Sequence, residues 1–182
     1  MGPIILASAS PQRRAILEQL GIPFVVRPAQ VEELDDGDPP AVALENARRK
    51  ADAVPGEHVL GVDTVVALDE RIYGKPRDAE HARDTLMALG GRSHTVHSGI
   101  HLTGVGEAVA STAVTFRRLG ADLVDWYLAS GEWRGRAGGY AIQGKGAALV
   151  DRIDGDYANV VGLPVPAFLD LLATLGFPGK SG

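Results

Sequence analysis

Apolar residues fall into short runs along the chain, and their spacing switches between the period of a strand and that of a helix. Ile4-Ile5-Leu6-Ala7 reads as a first strand that ends in Ser8-Ala9-Ser10-Pro11. Ser10 is a good N-cap and Pro11 suits a first helical position. Ile16, Leu17 and Leu20 form one apolar stripe of the helix that follows, and Gly21 with Pro23 stops it. Phe24-Val25-Val26 is a second strand, leading into the acidic loop 31–38, where Asp38 before Pro39 is a plausible cap. A helix over 40–54 is expected to turn Leu44, Ala47, Ala51 and Val54 inward, with Lys50 at the edge of that face. A further helix over 79–89, capped by Asp78, turns Ala82, Leu86 and Leu89 inward. Residues 93–103 and 108–117 alternate like two strands joined at Gly104-Val105-Gly106-Glu107. A short helix over 121–130 offers Leu123, Trp126 and Tyr127 to the core. A glycine- and arginine-rich loop over 131–139 follows, of a kind that is often mobile and sometimes a lid. Ala147-Ala148-Leu149-Val150 reads as a strand, Asp154-Gly155-Asp156-Tyr157 as a turn, 165–175 as a last helix and 177–182 as a frayed tail.

One run stands apart. Val59 to Leu68 is almost continuously apolar and rich in β-branched residues, so it reads as a strand covered on both faces, yet Asp63 sits in its middle. An unpaired carboxylate there costs several kcal/mol, roughly, unless it meets a partner, a metal or a water-filled cleft. Asp63 is therefore either a capping or strand-ending residue, or a metal ligand or general base at the mouth of a cleft. Asp69-Glu70-Arg71 reads as a hairpin turn that carries Gly74-Lys75-Pro76 back toward Asp63. A carboxylate and an ammonium returned to one place suit a metal-bound anion.

Composition narrows the choices. The chain has 182 residues, 45% hydrophobic and 23% charged, which suits a single domain over 1–176 with one well-buried core. No run approaches the ~20 apolar residues of a membrane span, and no export signal is expected from Ile4-Ile5-Leu6. Without cysteine, thiolate metal sites and cysteine nucleophiles are excluded, which agrees with a cytoplasmic enzyme. A net charge of −5 argues against a nucleic-acid partner bound through a broad basic surface. A small polyanion would need positive charge concentrated locally.

Such charge is available. The first helix begins where Ser8, Arg13 and Arg14 cluster, adding hydroxyl and guanidinium donors to free N–H groups. Glu32 or Glu33 is a candidate ligand in the acidic loop. His97 and His101, in a stretch that reads as strand, do not make a convincing metal pair. Gly139 to Lys145 fits G-x-x-x-x-G-K, but Gly146 stands where a P-loop needs Ser or Thr, and a strand is expected where it needs a helix. Gln143, read as an amide in a buried strand, is a better candidate for reading the edge of a base, because it both donates and accepts.

Taken in order, Leu6-Ala7-Ser8-Ala9-Ser10-Pro11-Gln12-Arg13-Arg14, Val31-Glu32-Glu33, Arg49-Lys50-Ala51, Gly61-Val62-Asp63-Thr64, Gly74-Lys75-Pro76-Arg77-Asp78, Ile142-Gln143-Gly144 and Val160-Val161-Gly162-Leu163-Pro164 resemble the Maf nucleoside triphosphate pyrophosphatases. The resemblance implies an α/β fold, a mixed twisted sheet flanked by helices with a long central cleft. It also implies a homodimer that hydrolyses a nucleoside triphosphate to monophosphate and pyrophosphate with Mg²⁺ or Mn²⁺. Carried over by position, it makes Asp63 the acceptor of the water's proton, Ser8, Arg13, Lys50 and Lys75 phosphate contacts, and Glu33 a partner of Asp63 at the metal. Gln12, Thr64 and Gln143 would set nucleotide preference. Thr64 and Gln143 resemble the dTTP/UTP-preferring branch, whereas Gln12 stands where that branch is expected to carry arginine, which leaves an uncommon or broader substrate range open. The alternative in another class is a regulatory module that binds a nucleotide or nucleic-acid base without turning it over.

Overall fold

The structure is a computed structural model in which residues 2–177 are described. Its elements are β1 (Ile4–Leu6), α1 (Pro11–Gln19), β2 (Phe24–Val26), α2 (Pro39–Asp52), β3 (Val59–Leu68), β4 (Arg71–Tyr73), α3 (Ala79–Leu89), β5 (Ser93–Leu102), β6 (Gly106–Phe116), α4 (Ala121–Ala129), β7 (Val150–Asp154), α5 (Tyr157–Val161) and α6 (Val165–Ala173). Seven strands make one mixed sheet in the order β2-β1-β3-β5-β6-β7, with β4 also paired to β3. β1 runs parallel to β2 and β3, while the β3–β4, β3–β5, β5–β6 and β6–β7 pairs are antiparallel.

β3 is the spine. Along one edge it pairs with β5 from Leu60 to Ala67. Along the other it pairs with β1 only as far as Leu60 and with β4 only from Val66. Among the described residues, Gly61–Val65 have no strand beside them on that edge, and Asp63 is at their centre. The Asp69-Glu70 turn that sends β4 back has both residues at positive φ, 50° and 66°, the twist a two-residue hairpin requires.

The sheet's two faces are covered differently. On one, Ile4, Leu6, Leu60, Val62, Ile100 and Leu102 meet Leu17 of α1 and Phe168 and Leu172 of α6. Further along that face, Val66, Leu68, Val96, Val114 and Phe116 meet α3 and α4 through Ala82, Leu86, Leu89, Val124 and Tyr127. Thr64 and Ser98 face each other between these two cores, Oγ to Oγ 2.8 Å apart. The opposite face is covered by α2, whose Ala43, Ala47 and Ala51 are fully buried. The approach is close because the sheet presents glycines: a Cβ on Gly61 would stand 2.0 Å from the Ala47 carbonyl oxygen, and one on Gly99 2.5 Å from backbone atoms of Ala43 and Leu44. This contact turns α2 away from the orientation its sequence suggests. Leu44 is only partly buried, whereas Val42, Ala43 and Asn46 are covered.

Other expectations need correction. Trp126 is 46% exposed, with the Lys145 ammonium 5.2 Å from its ring centroid, and Val124 takes the core position instead. No strand forms over 147–149; Lys145–Leu149 is a 3₁₀ turn, because the chain folds tightly enough that a Cβ on Gly146 would lie 2.4 Å from the Ala141 carbonyl oxygen. The strand begins at Val150, and the turn at 154–157 opens a short helix, α5, capped by Asp156. Phe177 donates its N–H to the Leu172 carbonyl and packs on the α1–α6 core, while residues 178–182 of the expected tail lie outside the described residues.

His94 is buried beside Phe116, with Nε2 2.8 Å from the Tyr140 hydroxyl and Nδ1 without a protein partner among the described residues. Burial lowers its pKa to about 4 and pushes that of Tyr140 upward. The unfolded imidazole therefore binds a proton that the folded one refuses between about pH 6.5 and 4, so stability is complete above that window and falls as pH drops through it. Urea unfolding is expected to lose stability on the order of 3 kcal/mol over this window from this group, and His94→Phe is expected to flatten that slope. An equal slope in the variant overturns the assignment.

Candidate active site

The gap in the β3 edge opens onto a cleft of about 500 Å³, within the range of small-molecule sites. Three segments reach it because of how they leave the sheet. β1 ends at Leu6, and the loop Ala7–Ser10 turns at the cleft into α1, whose N-cap Ser10 accepts the Arg13 N–H at 3.4 Å. β4 ends at Tyr73 and delivers Lys75 from the other side. α2, drawn onto Gly61 and Gly99, brings Asn46 and Lys50 against Asp63.

Asp63 is 5% exposed and fully paired. The Lys50 ammonium donates to Oδ1 at 2.6 Å and the Asn46 amide to Oδ2 at 3.0 Å. Lys50 also lies 2.7 Å from Glu33 Oε1, and Lys75 donates to Glu33 Oε2 at 3.3 Å. Desolvation raises the Glu33 carboxyl pKa, but the hydrogen bond and charge of Lys50, joined by Lys75, outweigh it and the net shift is downward. Lys50, expected at the helix edge, is thus buried between two carboxylates. Two carboxylates thus offset the cost of burying one ammonium.

Arg13 crosses to the Thr64 side of the strand. It donates through Nη1 to Ser8 Oγ at 2.9 Å, through Nε to the Gly162 carbonyl at 2.9 Å and through Nη2 to Thr64 Oγ1 at 3.3 Å. Burial lowers its pKa from the ordinary value, with the charges of Asp63 and Glu33 opposing. None of its three bonded partners is charged, so its positive charge faces the cleft unspent. Gln12 also lines the cleft and accepts from Ser10 Oγ at 3.2 Å.

Eight of the nine candidate residues therefore line one cavity: Ser8, Gln12, Arg13, Glu33, Lys50, Asp63, Thr64 and Lys75. Gln143 does not; it is exposed in the turn before Lys145 rather than buried in a strand. Two contributors lie outside these nine. Asn46 was a polar residue on a helix with no motif to mark it, yet it is 1% exposed and is oriented by Leu34, whose N–H it accepts at 2.7 Å and whose carbonyl it donates to at 2.9 Å. The loop over 131–139 contributes Arg134, Gly135, Arg136 and Ala137 to the cleft wall. Val66, Val96, Tyr140, Val160 and Val161 give the cavity an apolar wall beside its charged one.

Among the described residues no group of three or more His, Cys, Asp and Glu side chains is placed to hold a metal, so Glu33 and Asp63 are the only carboxylate pair in the cleft with cation chemistry. No helix among the described residues is long and apolar enough to cross a membrane.

Known proteins similar to this chain share one activity class in their names. A protein from Anaeromyxobacter dehalogenans named dTTP/UTP pyrophosphatase is 47% identical over 96% of this chain and 95% of its own length. One of the same name from Thermus thermophilus is 48% identical over 96% of each. A solved nucleoside-triphosphatase/dITP/XTP pyrophosphatase from Mycobacterium abscessus aligns at 22% identity and a TM-score of 0.46 over 66% of this chain and 76% of its own. The sequence model described as Maf-like protein matches residues 3–175, and with every structural element inside that match the chain belongs to the Maf-like family.

Proposed function

We propose that this protein hydrolyses a nucleoside triphosphate to the monophosphate and pyrophosphate, with dTTP, UTP or related and modified nucleotides as substrates. The observation that carries the reading is Asp63 held in the strand gap by Asn46 and Lys50, facing a cleft whose other charges are mostly positive. The names of the relatives, dTTP/UTP pyrophosphatase, support the substrate class.

A triphosphate carries roughly four negative charges, and catalysis at phosphorus is mostly positioning and charge stabilisation. Arg13, Ser8 and Lys75 bind and orient the phosphate chain. Asp63 takes the proton of a water aligned with the α phosphorus; that oxygen bonds to phosphorus as the α–β phosphoanhydride bond breaks, and pyrophosphate leaves with the bonding pair. Lys50 and Lys75 stabilise the charge gathered on the leaving group.

The residues fit Mg²⁺ or Mn²⁺. Glu33 and Asp63 already converge on one cation, the Lys50 ammonium, and two hard carboxylates completed by waters and substrate phosphates form the usual donor set of a magnesium site. When bound, the cation would draw charge from phosphate oxygens and acidify a coordinated water.

The position of Gln12 and Thr64 in the cleft lining supports a role for them in reading the base or sugar, and a role for Gln143 requires its turn to swing toward the cleft. One sheet running through both packing layers supports a single domain over 1–176. The cysteine-free composition is compatible with the cytoplasm, and a homodimer follows from the family resemblance.

The test is a panel of dTTP, UTP, CTP and modified triphosphates with Mg²⁺ or Mn²⁺, with products resolved by phosphorus NMR. Monophosphate with pyrophosphate is expected. Orthophosphate, or no product from any member, overturns the reading.

A further inference from the structure

The charge in the cleft does not balance around its known candidates. Lys50 is shared by Asp63 and Glu33, and Lys75 is tied to Glu33, so two of the three expected cations are already partnered within the protein. Arg134 and Arg136 line the same cleft, and neither enters an ion pair among the described residues.

Their loop is anchored to the part of the site that carries Lys75. Gly138 donates its N–H to the Gly74 carbonyl at 3.2 Å. A Cβ on Gly138 would meet Val66 at 2.9 Å, and one on Gly139 would meet Pro76 at 3.1 Å. Both glycines have φ near 70°, so the close fit and the backbone path each require glycine. The loop is a docked wall continuing the Gly74-Lys75-Pro76 segment. The two arginines are not equivalent within it. Arg134 is exposed with its guanidinium 4.7 Å from the Trp133 ring centroid, whereas Arg136 is partly buried, with no such stacking partner. A guanidinium beside a polyanion site, unclaimed by any carboxylate, is suited to a bidentate phosphate contact.

We infer that Arg136 is a further substrate-binding residue, which with Lys75 holds the terminal phosphates and then the departing pyrophosphate. The inference rests on the proposed hydrolysis for its biological meaning, but its geometry concerns only the binding of a diphosphate group and is testable without turnover.

Inorganic pyrophosphate and, separately, dTMP are titrated against the full chain by calorimetry with Mg²⁺, for wild type, Arg136→Gln, Arg136→Lys and Arg134→Gln. The expected result is at least about tenfold weaker pyrophosphate binding in Arg136→Gln, the loss of a charged hydrogen bond. Arg136→Lys is expected to fall between, Arg134→Gln to lose less than Arg136→Gln, and dTMP binding to change less than twofold throughout. Pyrophosphate binding within twofold of wild type in Arg136→Gln overturns the inference, as does an equal loss for dTMP. Failure of the product assay with intact pyrophosphate binding would instead count against hydrolysis alone.

Discussion

Replacing Asp63 by asparagine is expected to lower nucleoside triphosphate turnover by at least about a hundredfold, the low end of a general base's contribution. The fold is expected to survive with a measurable loss of stability. The reason lies in the donors that surround position 63. Lys50 donates to one oxygen and Asn46 to the other, and Asn46 cannot flip to accommodate a change because Leu34 fixes both ends of its amide. An asparagine offers one oxygen and one NH₂, so one donor is left facing another donor. That mismatch costs about 1–3 kcal/mol in a buried site. Initial rates and urea unfolding of the same preparation separate the two effects. More than a tenth of wild-type turnover in a folded variant would remove Asp63 from the chemistry.

Gly61→Ala is expected to be nearly as damaging although it touches no substrate. The added methyl would stand 2.0 Å from the Ala47 carbonyl oxygen and 2.8 Å from the Ala51 nitrogen, both backbone atoms of α2 that cannot rotate aside. The helix must move off the sheet, taking Asn46 and Lys50 with it. Overpacking of this kind costs about 3 kcal/mol or more, which for a chain of this size lowers the thermal midpoint by roughly 6–12 °C. Displacing catalytic neighbours by about 1 Å costs on the order of a hundredfold in rate. Calorimetry and kcat/KM well below the midpoint are the measurements. Gly74→Ala, where an added Cβ meets nothing within 4 Å, is the comparison and should leave the midpoint unchanged. A Gly61→Ala chain with wild-type midpoint and rate would show that α2 does not need its close seat.

The sequence exposed what was chemically out of place. Asp63 was conspicuous because a carboxylate inside a β-branched run has to be explained, and the Asp69-Glu70 turn placed Lys75 near it from local pattern alone. Asn46 left no trace, because a single amide among helix-forming neighbours looks the same whether it faces water or a buried acid. What decides is the rotation of α2, fixed by Gly61 and Gly99 from other parts of the chain. For the same reason Ala43 is buried while Leu44 is only partly so: hydrophobicity ranks leucine first, whereas a helix seated on glycines selects the smaller side chain. Gln143 reads from sequence as an amide in a buried strand, but it is exposed in the turn before the 3₁₀ segment, whose Gly146 packs closely against the Ala141 backbone. Arg136 looked like one charge in a polar loop until Gly138 and Gly139 docked that loop on Val66 and Pro76.

The unpartnered stretch of β3 also bears on which molecules are admitted at all. Five residues at about 3.3 Å each make some 17 Å of strand edge, bounded at one end by the departure of β1 and at the other by the arrival of β4. If Ser8 and Lys75, which line the same cleft, hold opposite ends of one ligand, a long polyanion is expected to bind more tightly than orthophosphate, which reaches one end only.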